Sequence, residues 1–241
     1  MSVTVLQQRL ARRLRWQKQA HMLEKQALAL QKPLKVLRHW QAERLAASFA
    51  HFLEDPRKRP AAEFFLSDLY GEIDFKQRDD EAAKILPKMT RLLPENLLMA
   101  AVDAIELSVL SHALDLRMAG VMRELAMNST DMTFSDYQQV YRRVGLPRLR
   151  QKQIDLVRQI GYRLDAVVQK HGIAKLLAAS RLPARLLGLQ HLQSFLERGF
   201  TAFHHLGGAN AFLAEIYEQE TAIAKRLQRG AANPFKPPFT A

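Results

Sequence analysis

Apolar residues recur at helical spacing along nearly the whole chain, and this periodicity constrains the fold more than any other feature of the sequence. Near the N-terminus, Leu6, Leu10 and Leu14 repeat every four residues, and Ile154, Val157 and their neighbours keep helical spacing much later in the chain. The strict alternation of apolar and polar residues that indicates β-strands is almost absent. The sequence therefore predicts an all-α fold.

Proline, glycine and capping residues divide this pattern into about nine or ten helices. We expect Pro33 to stop the first helix, Pro183 to begin a later one and Ser135 to cap another. Because the connections are short, these helices are predicted to form an irregular bundle. The expected ranges are 3–31, 34–54, 61–70, a helix capped by Asp74 and ending near Pro87, 95–127, 135–144, 148–170, a short helix to 180, 183–206 and a last helix to 229.

No linker is long enough to mark a domain boundary, so residues 1–230 are predicted to form a single helical domain. Within it, residues 1–32 form a long basic helix that either packs on its own domain or extends from it. Residues 231–241 form a Pro-rich C-terminal tail, which we expect to be extended or disordered.

The net charge of +12 is distributed unevenly along the chain. Residues 1–50 carry a net charge of +8, residues 61–81 carry −5 and residues 142–163 carry +6. Three interpretations are open. The basic helices have solvated faces, or they dock on the acidic segment within or between protomers, or they bind an external polyanion such as nucleic acid or an anionic membrane surface.

The absence of cysteine excludes disulfides, thiolate zinc sites and cysteine nucleophiles. The longest uncharged stretch, residues 199–214, is too short and too polar to form a transmembrane segment. The arginines near the N-terminus interrupt any apolar core of a signal peptide. We therefore expect a cytoplasmic protein without a transmembrane segment.

Catalytic templates fail on this sequence. It lacks the glycine motifs that bind phosphate and the G-x-S-x-G elbow, and no histidine follows an acid by three residues as in di-iron bundles. The central helix contains Asp103, Glu106, His112 and Asp115, but Asp103 and His112 lie on opposite sides of it. His204 and His205 precede Gly207, as is typical of a helix C-terminus. We predict no cofactor, no metal ligands and no catalytic residues.

Basic residues supply the strongest candidates for a binding surface. One group lies in the first helix, and a second flanks a helix-turn-helix-like turn at 145–147, where exposed cations would contact phosphates or an acidic partner. The predicted partner-binding residues are Arg9, Arg12, Arg13, Arg15, Arg148, Lys152 and Arg158.

The acidic segment contains the block FFLSDLYG at 64–71, where Asp68 lies among apolar residues. An acid so placed is expected to cap a neighbouring helix or to pair with an arginine. A ligand pocket that includes Asp68, Tyr70 and Asp74 is a second hypothesis for this segment.

Two segments carry a family resemblance: EFFLSDLYGEIDFKQRD at 63–79 and FLERGFTAFHHLGGANAFLAEI at 195–216. Together they resemble a proteobacterial family of helical proteins of unknown function, with an FFLxDLYG-type block and a GGA-type block. The resemblance extends from about Leu34 to Arg229, and it implies a bacterial cytosolic origin. It assigns no activity, ligand or catalytic residue to any position.

Two functional hypotheses follow. The first is a non-enzymatic interaction protein whose basic helices bind an acidic protein or nucleic acid, or support a homo-oligomer. The alternative is a ligand- or metal-binding helical-bundle enzyme, with a site near residues 63–81 and the central helix at 95–127.

Overall fold

The computed structural model describes residues 3–69, 81, 95–127 and 131–235. These ranges contain nine α-helices and no β-strand, which confirms the all-α prediction. Apart from Glu81, the helix expected from Asp74 to Pro87 lies outside the described residues. The helices are α1 (Val3–Gln26), α2 (Gln31–Glu54), α3 (Arg59–Phe64), α4 (Glu95–Glu124), α5 (Phe134–Val144), α6 (Pro147–Val168), α7 (Ile173–Leu186), α8 (Gln190–Leu206) and α9 (Asn210–Arg229).

The boundary between α1 and α2 differs from the sequence prediction. Helix α1 ends at Gln26, and a single 3₁₀ turn at Leu28–Leu30 leads into α2. Pro33 therefore lies in the first turn of α2 instead of marking the end of the preceding helix. The first N–H groups of a helix have no intrahelical acceptor, so a proline in that turn removes no hydrogen bond.

Pro183 also has a different place from the expected one, because it lies inside α7. A proline removes the hydrogen bond to the carbonyl four residues earlier, here that of Ala179, and Ala179 is exposed to water. The break between α7 and α8 comes instead at Gly188, whose φ of +67° favours glycine.

Thr133, and not the expected Ser135, caps α5. The Thr133 hydroxyl accepts a hydrogen bond from the Asp136 backbone N–H, and the Asp136 carboxylate accepts one from the Thr133 N–H at 3.0 Å. This reciprocal pair is a capping box that begins two residues before the predicted cap.

Helix α4 lies at the centre of the bundle, where it packs against α1, α2, α5 and α6. Helix α6 in turn lies between α4 and α9. Burial of apolar area in three clusters stabilises this arrangement. An aromatic cluster joins α2, α3, α8 and α9 and includes Phe49, Phe52, Phe65, Phe203 and Phe212. A second cluster joins α2, α4, α5 and α9 and includes Leu37, Met118 and Tyr137. A small third cluster, formed by Leu10, Val102 and Ile105, joins α1 to α4.

The start of the C-terminal tail packs on the bundle, whereas we expected an extended or disordered segment. The Phe235 ring lies 5.8 Å from the Trp40 ring and 5.4 Å from the Phe134 ring, measured between centroids. The Gln138 side chain donates a hydrogen bond to the Ala231 carbonyl at 2.7 Å. Residues 231–235 therefore belong to the packed structure.

Candidate functional site

Helix α1 packs on the N-terminal half of α4 through an apolar contact. Leu10 is buried against Val102 and Ile105, and Leu14 covers the edge of this small cluster. The basic N-terminal helix therefore lies on its own domain, which was one of the two arrangements left open by the sequence.

A buried ion pair reinforces this contact. The Arg13 guanidinium pairs with the Glu106 carboxylate, and both side chains are almost inaccessible to water. Lys152 of α6 binds the other oxygen of Glu106, although the lysine side chain remains 52% exposed. Glu106 of α4 therefore links α1 and α6, and Arg13 stabilises the fold through this internal ion pair.

Asp103 forms a second link between α4 and its neighbours. Its carboxylate accepts a hydrogen bond from Arg163 Nε of α6 at 2.9 Å. Burial raises the pKa of Asp103, while Arg163, and more weakly Arg9, oppose that rise. Arg9 thus adds a favourable electrostatic contribution to the same carboxylate from α1.

His112 and Asp115, farther along α4, contribute to a separate polar cluster. Arg38 of α2 lies 2.9 Å from Glu24 and 3.1 Å from His112 Nδ1, and its Nε is 3.9 Å from Asp115. Burial raises the pKa of Asp115, and the cations Arg150 and Arg38 oppose the rise. The four polar residues of α4 therefore belong to two sites, as their angular separation predicted.

The arginines around the turn between α5 and α6 have unequal roles. Arg150 is buried, with its guanidinium 2.8 Å from Met118 Sδ and 4.9 Å from the Tyr141 ring centroid. Burial raises the pKa of Tyr141 to about 12. Arg158 lies 3.6 Å from the Tyr217 ring centroid, whereas Arg148 is exposed to solvent. Most cations of this stretch therefore bind other parts of the protein.

The outward side of α1 has a different character. Arg12, Arg15 and Lys18 are exposed, and they recur every three residues within an arc of about 120°. Among the described side chains, none forms an ion pair with Arg12 or Arg15, and α1 contains no acid before Glu24. We call Arg12, Arg15 and Lys18 the α1 basic face.

The described residues include only Asp68 of the three residues predicted to form a ligand pocket. Asp68 is buried and accepts a hydrogen bond from Arg198 Nε of α8 at 3.0 Å, which is the arginine pairing expected from the sequence. Tyr70 and Asp74 lie outside the described residues, so the pocket remains a prediction. Within the described part of the chain, no group of three or more His, Cys, Asp or Glu residues could hold a metal ion.

Several of these pairings were not predicted from the sequence. Glu106 and Arg198 lie 93 and 130 positions from their partners, and no local motif connects residues so far apart. Asp68 carried the only usable signal, because an acid within an apolar block indicates a buried partner. His204 and His205, in contrast, lie exposed in the last turn of α8, which Gly207 ends with a φ of +65°.

Among the described helices, none is both long and apolar enough to cross a membrane. No curated protein and no solved structure matches the chain. One family model does match, over residues 20–234, and the α1 basic face precedes the matched region. The chain thus belongs to the family defined by this model, whose description is "Domain of unknown function (DUF8198)".

Proposed function

We propose that this protein is a non-enzymatic interaction protein that binds an acidic partner through the α1 basic face. One observation carries the proposal: α1 has a buried side that fixes it to α4 and an opposite, exposed side with three cations and no acid. A surface of this kind attracts anions at long range and pairs with them at contact.

The docking of α1 supports this function because it holds the three cations in fixed relative positions. Leu10 and Arg13 anchor the inner side, so Arg12, Arg15 and Lys18 project from a helix that is already folded. A preformed binding surface loses less conformational entropy on association than a flexible tail does. Arg12 and Arg13 also lie near Trp16, at 5.3 and 4.5 Å from its ring centroid, which further restricts their motion.

The remaining predicted residues contribute less to such a surface. Arg13 pairs with Glu106, Lys152 binds the same carboxylate, and Arg158 stacks on Tyr217. Arg148 and Lys152 are the exposed members of the second predicted group, and Lys152 is already bound to Glu106. We therefore place the binding surface on α1 and not on the turn between α5 and α6.

The proposal is tested by the binding of nuclease-treated protein to fluorescent duplex DNA, single-stranded RNA and poly-glutamate across a salt series. Three cation–phosphate contacts predict that log K for duplex DNA falls with log salt with a slope of about −2.7. The variant Arg12→Glu/Arg15→Glu should abolish the binding and keep the unfolding midpoint of the wild type.

The matched control is Arg117→Glu/Arg123→Glu, which changes the net charge equally at exposed positions of α4 beyond its contact with α1. This control should retain most of the binding. Equal losses in both variants would mean that net charge, and not the α1 basic face, drives association. Absence of binding at low salt would refute the proposal. If the protein instead associates with itself and Arg12→Glu/Arg15→Glu prevents this association, the partner is a second copy of the chain.

A further inference from the structure

Helix α7 exposes an unusual amount of apolar surface. Leu176, Leu182, Leu186 and Leu187, the last just beyond the helix end, are each between 62 and 78% exposed. Leucines at a helical spacing normally face a core, and isolated exposed leucines are common on protein surfaces. Four of them within twelve residues instead form a continuous apolar patch.

The side of α7 that faces the protein buries Ala184 and also makes polar contacts with α8. Ser180 Oγ lies 3.0 Å from Gln193 Oε1 of α8, and Gln193 Nε2 donates to the Leu177 carbonyl at 2.8 Å. Arg181 and Glu197 form an ion pair at 2.7 Å, and hydrogen bonds from this arginine and from Gln193 lower the pKa of Glu197. Helix α7 therefore attaches to α8 through these hydrogen bonds and the buried Ala184, and its exposed leucines lie on the other side.

The exposed apolar residues share one side of the helix. At about 100° per residue, Leu182, Leu186 and Leu176, with Ala179 and Pro183 between them, occupy an arc of about 120°. This arc is wide enough for an amphipathic helix to lie on an apolar surface. We call these five residues the α7 apolar face.

Lys175 and Arg185, the charged residues of α7 nearest this face, are both positive, whereas Arg181 is paired with Glu197. No Asp or Glu occurs between Asp165 and Glu197, a stretch that contains Lys170, Lys175, Arg181 and Arg185. Lys175 falls within the same arc as the leucines, and Arg185 is exposed beside it. A partner for α7 must accept leucine side chains and supply negative charge at the same time.

We propose that the α7 apolar face binds the surface of an anionic lipid bilayer, with the helix axis parallel to the membrane plane. Leucines on one side and flanking Lys and Arg are the features of helices that lie in the headgroup region. An isologous contact with a second copy would place Lys175 and Arg185 of both chains in one interface, where their like charges repel. Nucleic acid would supply charge but would leave the leucines in water.

The test is co-sedimentation of the full chain with vesicles of phosphatidylcholine alone and of phosphatidylcholine with phosphatidylglycerol. Binding is expected to the vesicles that contain phosphatidylglycerol and to weaken with salt. Leu182→Glu/Leu186→Glu should reduce this partitioning at least about tenfold, because it places two charges at the depth of the leucines. Lys175→Glu/Arg185→Glu should reduce binding to the level seen with phosphatidylcholine alone.

Leu28→Glu/Leu125→Glu is the matched control, since it introduces the same charges at two exposed leucines elsewhere. It should bind as the wild type does, and so should Arg117→Glu/Arg123→Glu, which makes the same charge change as Lys175→Glu/Arg185→Glu at exposed positions of α4. Absence of vesicle binding, or binding that Leu182→Glu/Leu186→Glu leaves unchanged, would overturn the proposal. If the wild type binds no vesicles but forms a dimer in light scattering, and Leu182→Glu/Leu186→Glu is monomeric, the α7 apolar face mediates self-association and the proposal is overturned.

Discussion

Helices α4 and α7 distribute their polar and apolar side chains in opposite ways. At the centre of the bundle, α4 buries Asp103 and Glu106 against cations of α1 and α6. At α7, which packs on α8, four leucines face the solvent, and the inner contact includes the buried Ala184 and the polar Ser180. In α4 the carboxylates are thus buried next to cations, and in α7 the largest apolar side chains are exposed to water.

This contrast shows that the type of residue alone does not identify a binding surface. Buried carboxylates require partners because an uncompensated charge in the interior costs several kcal/mol, roughly. Arg13 meets that requirement, so it is no longer available to an external anion. An exposed leucine has no such internal partner. The free surfaces of this protein are therefore found only after the internal pairs have been assigned.

The largest effect is expected from Glu106→Gln. This change leaves the buried Arg13 guanidinium without its carboxylate, and only Lys152, which is half exposed, can turn to water. We expect the free energy of unfolding to fall by about 3–5 kcal/mol, measured by urea denaturation. Arg12→Ala is the control, and it should change stability by less than about 0.5 kcal/mol because Arg12 is exposed. Equal effects of the two changes would contradict the assignment of Arg13 and Glu106 as a buried pair.

A smaller loss is expected from Gly161→Ala. A Cβ atom at Gly161 of α6 would clash with Leu213 Cδ2 of α9 and lie 2.8 Å from Leu213 Cδ1, so the two helices would have to separate or Leu213 would have to leave its position. The cost should be about 1–3 kcal/mol, from thermal or urea unfolding.

Gly120→Ala provides the matched comparison, because nothing lies within 4 Å of a Cβ built at Gly120 in α4. Alanine has the higher helix propensity, so this variant should gain about 0.5–1 kcal/mol. A loss at Gly120 as large as that at Gly161 would contradict the described packing of α6 on α9.

Asp115→Asn should change how stability depends on pH. Burial raises the pKa of Asp115 in the folded state above its ordinary value of 3.8, so the folded protein binds the proton more tightly than the unfolded chain does. The wild type should therefore lose stability relative to Asp115→Asn as the pH rises from 3.8 through the folded-state pKa. The slope is at most about 1.4 kcal/mol per pH unit, measured by urea unfolding at several pH values. Parallel curves for the two proteins would show that the carboxyl is not buried as described.

The smallest effect is expected from Leu182→Ser/Leu186→Ser. Both leucines are mostly exposed, so little apolar burial is lost. The free energy of unfolding, measured by urea denaturation, should change by less than about 0.5 kcal/mol per substitution. A substantial loss of stability would mean that these leucines already contact another part of the chain, which would remove the basis for a docking face on α7.

Much of the fold followed from local patterns. Apolar spacing predicted the helices, and glycine or proline positions predicted most of the ends. The errors at Pro33 and Pro183 have one cause. A proline lacks an N–H group, but the missing hydrogen bond costs little free energy where the proline lies in the first helical turn or where water can bind the unpaired carbonyl. Residue patterns do not show which situation applies.

The candidate surfaces were less predictable. The sequence singled out the arginines of α1 as a group, but it could not separate Arg13 from Arg12 and Arg15, because that distinction depends on Glu106, which lies 93 positions away from Arg13. The leucines of α7 carried no signal of their own in the sequence, because helical spacing is the same for a buried face and for a docking face. Both distinctions depend on tertiary contacts and not on local sequence.

The position of α1 is the central claim, because it decides which cations remain free. A double-mutant cycle with Arg13→Gln and Glu106→Gln, measured by urea denaturation of the full chain, tests it most directly. If α1 docks on α4 as described, the two changes should be coupled by about 1–3 kcal/mol. Additive effects, with a coupling energy of zero within error, would show that Arg13 and Glu106 do not meet and would contradict the account.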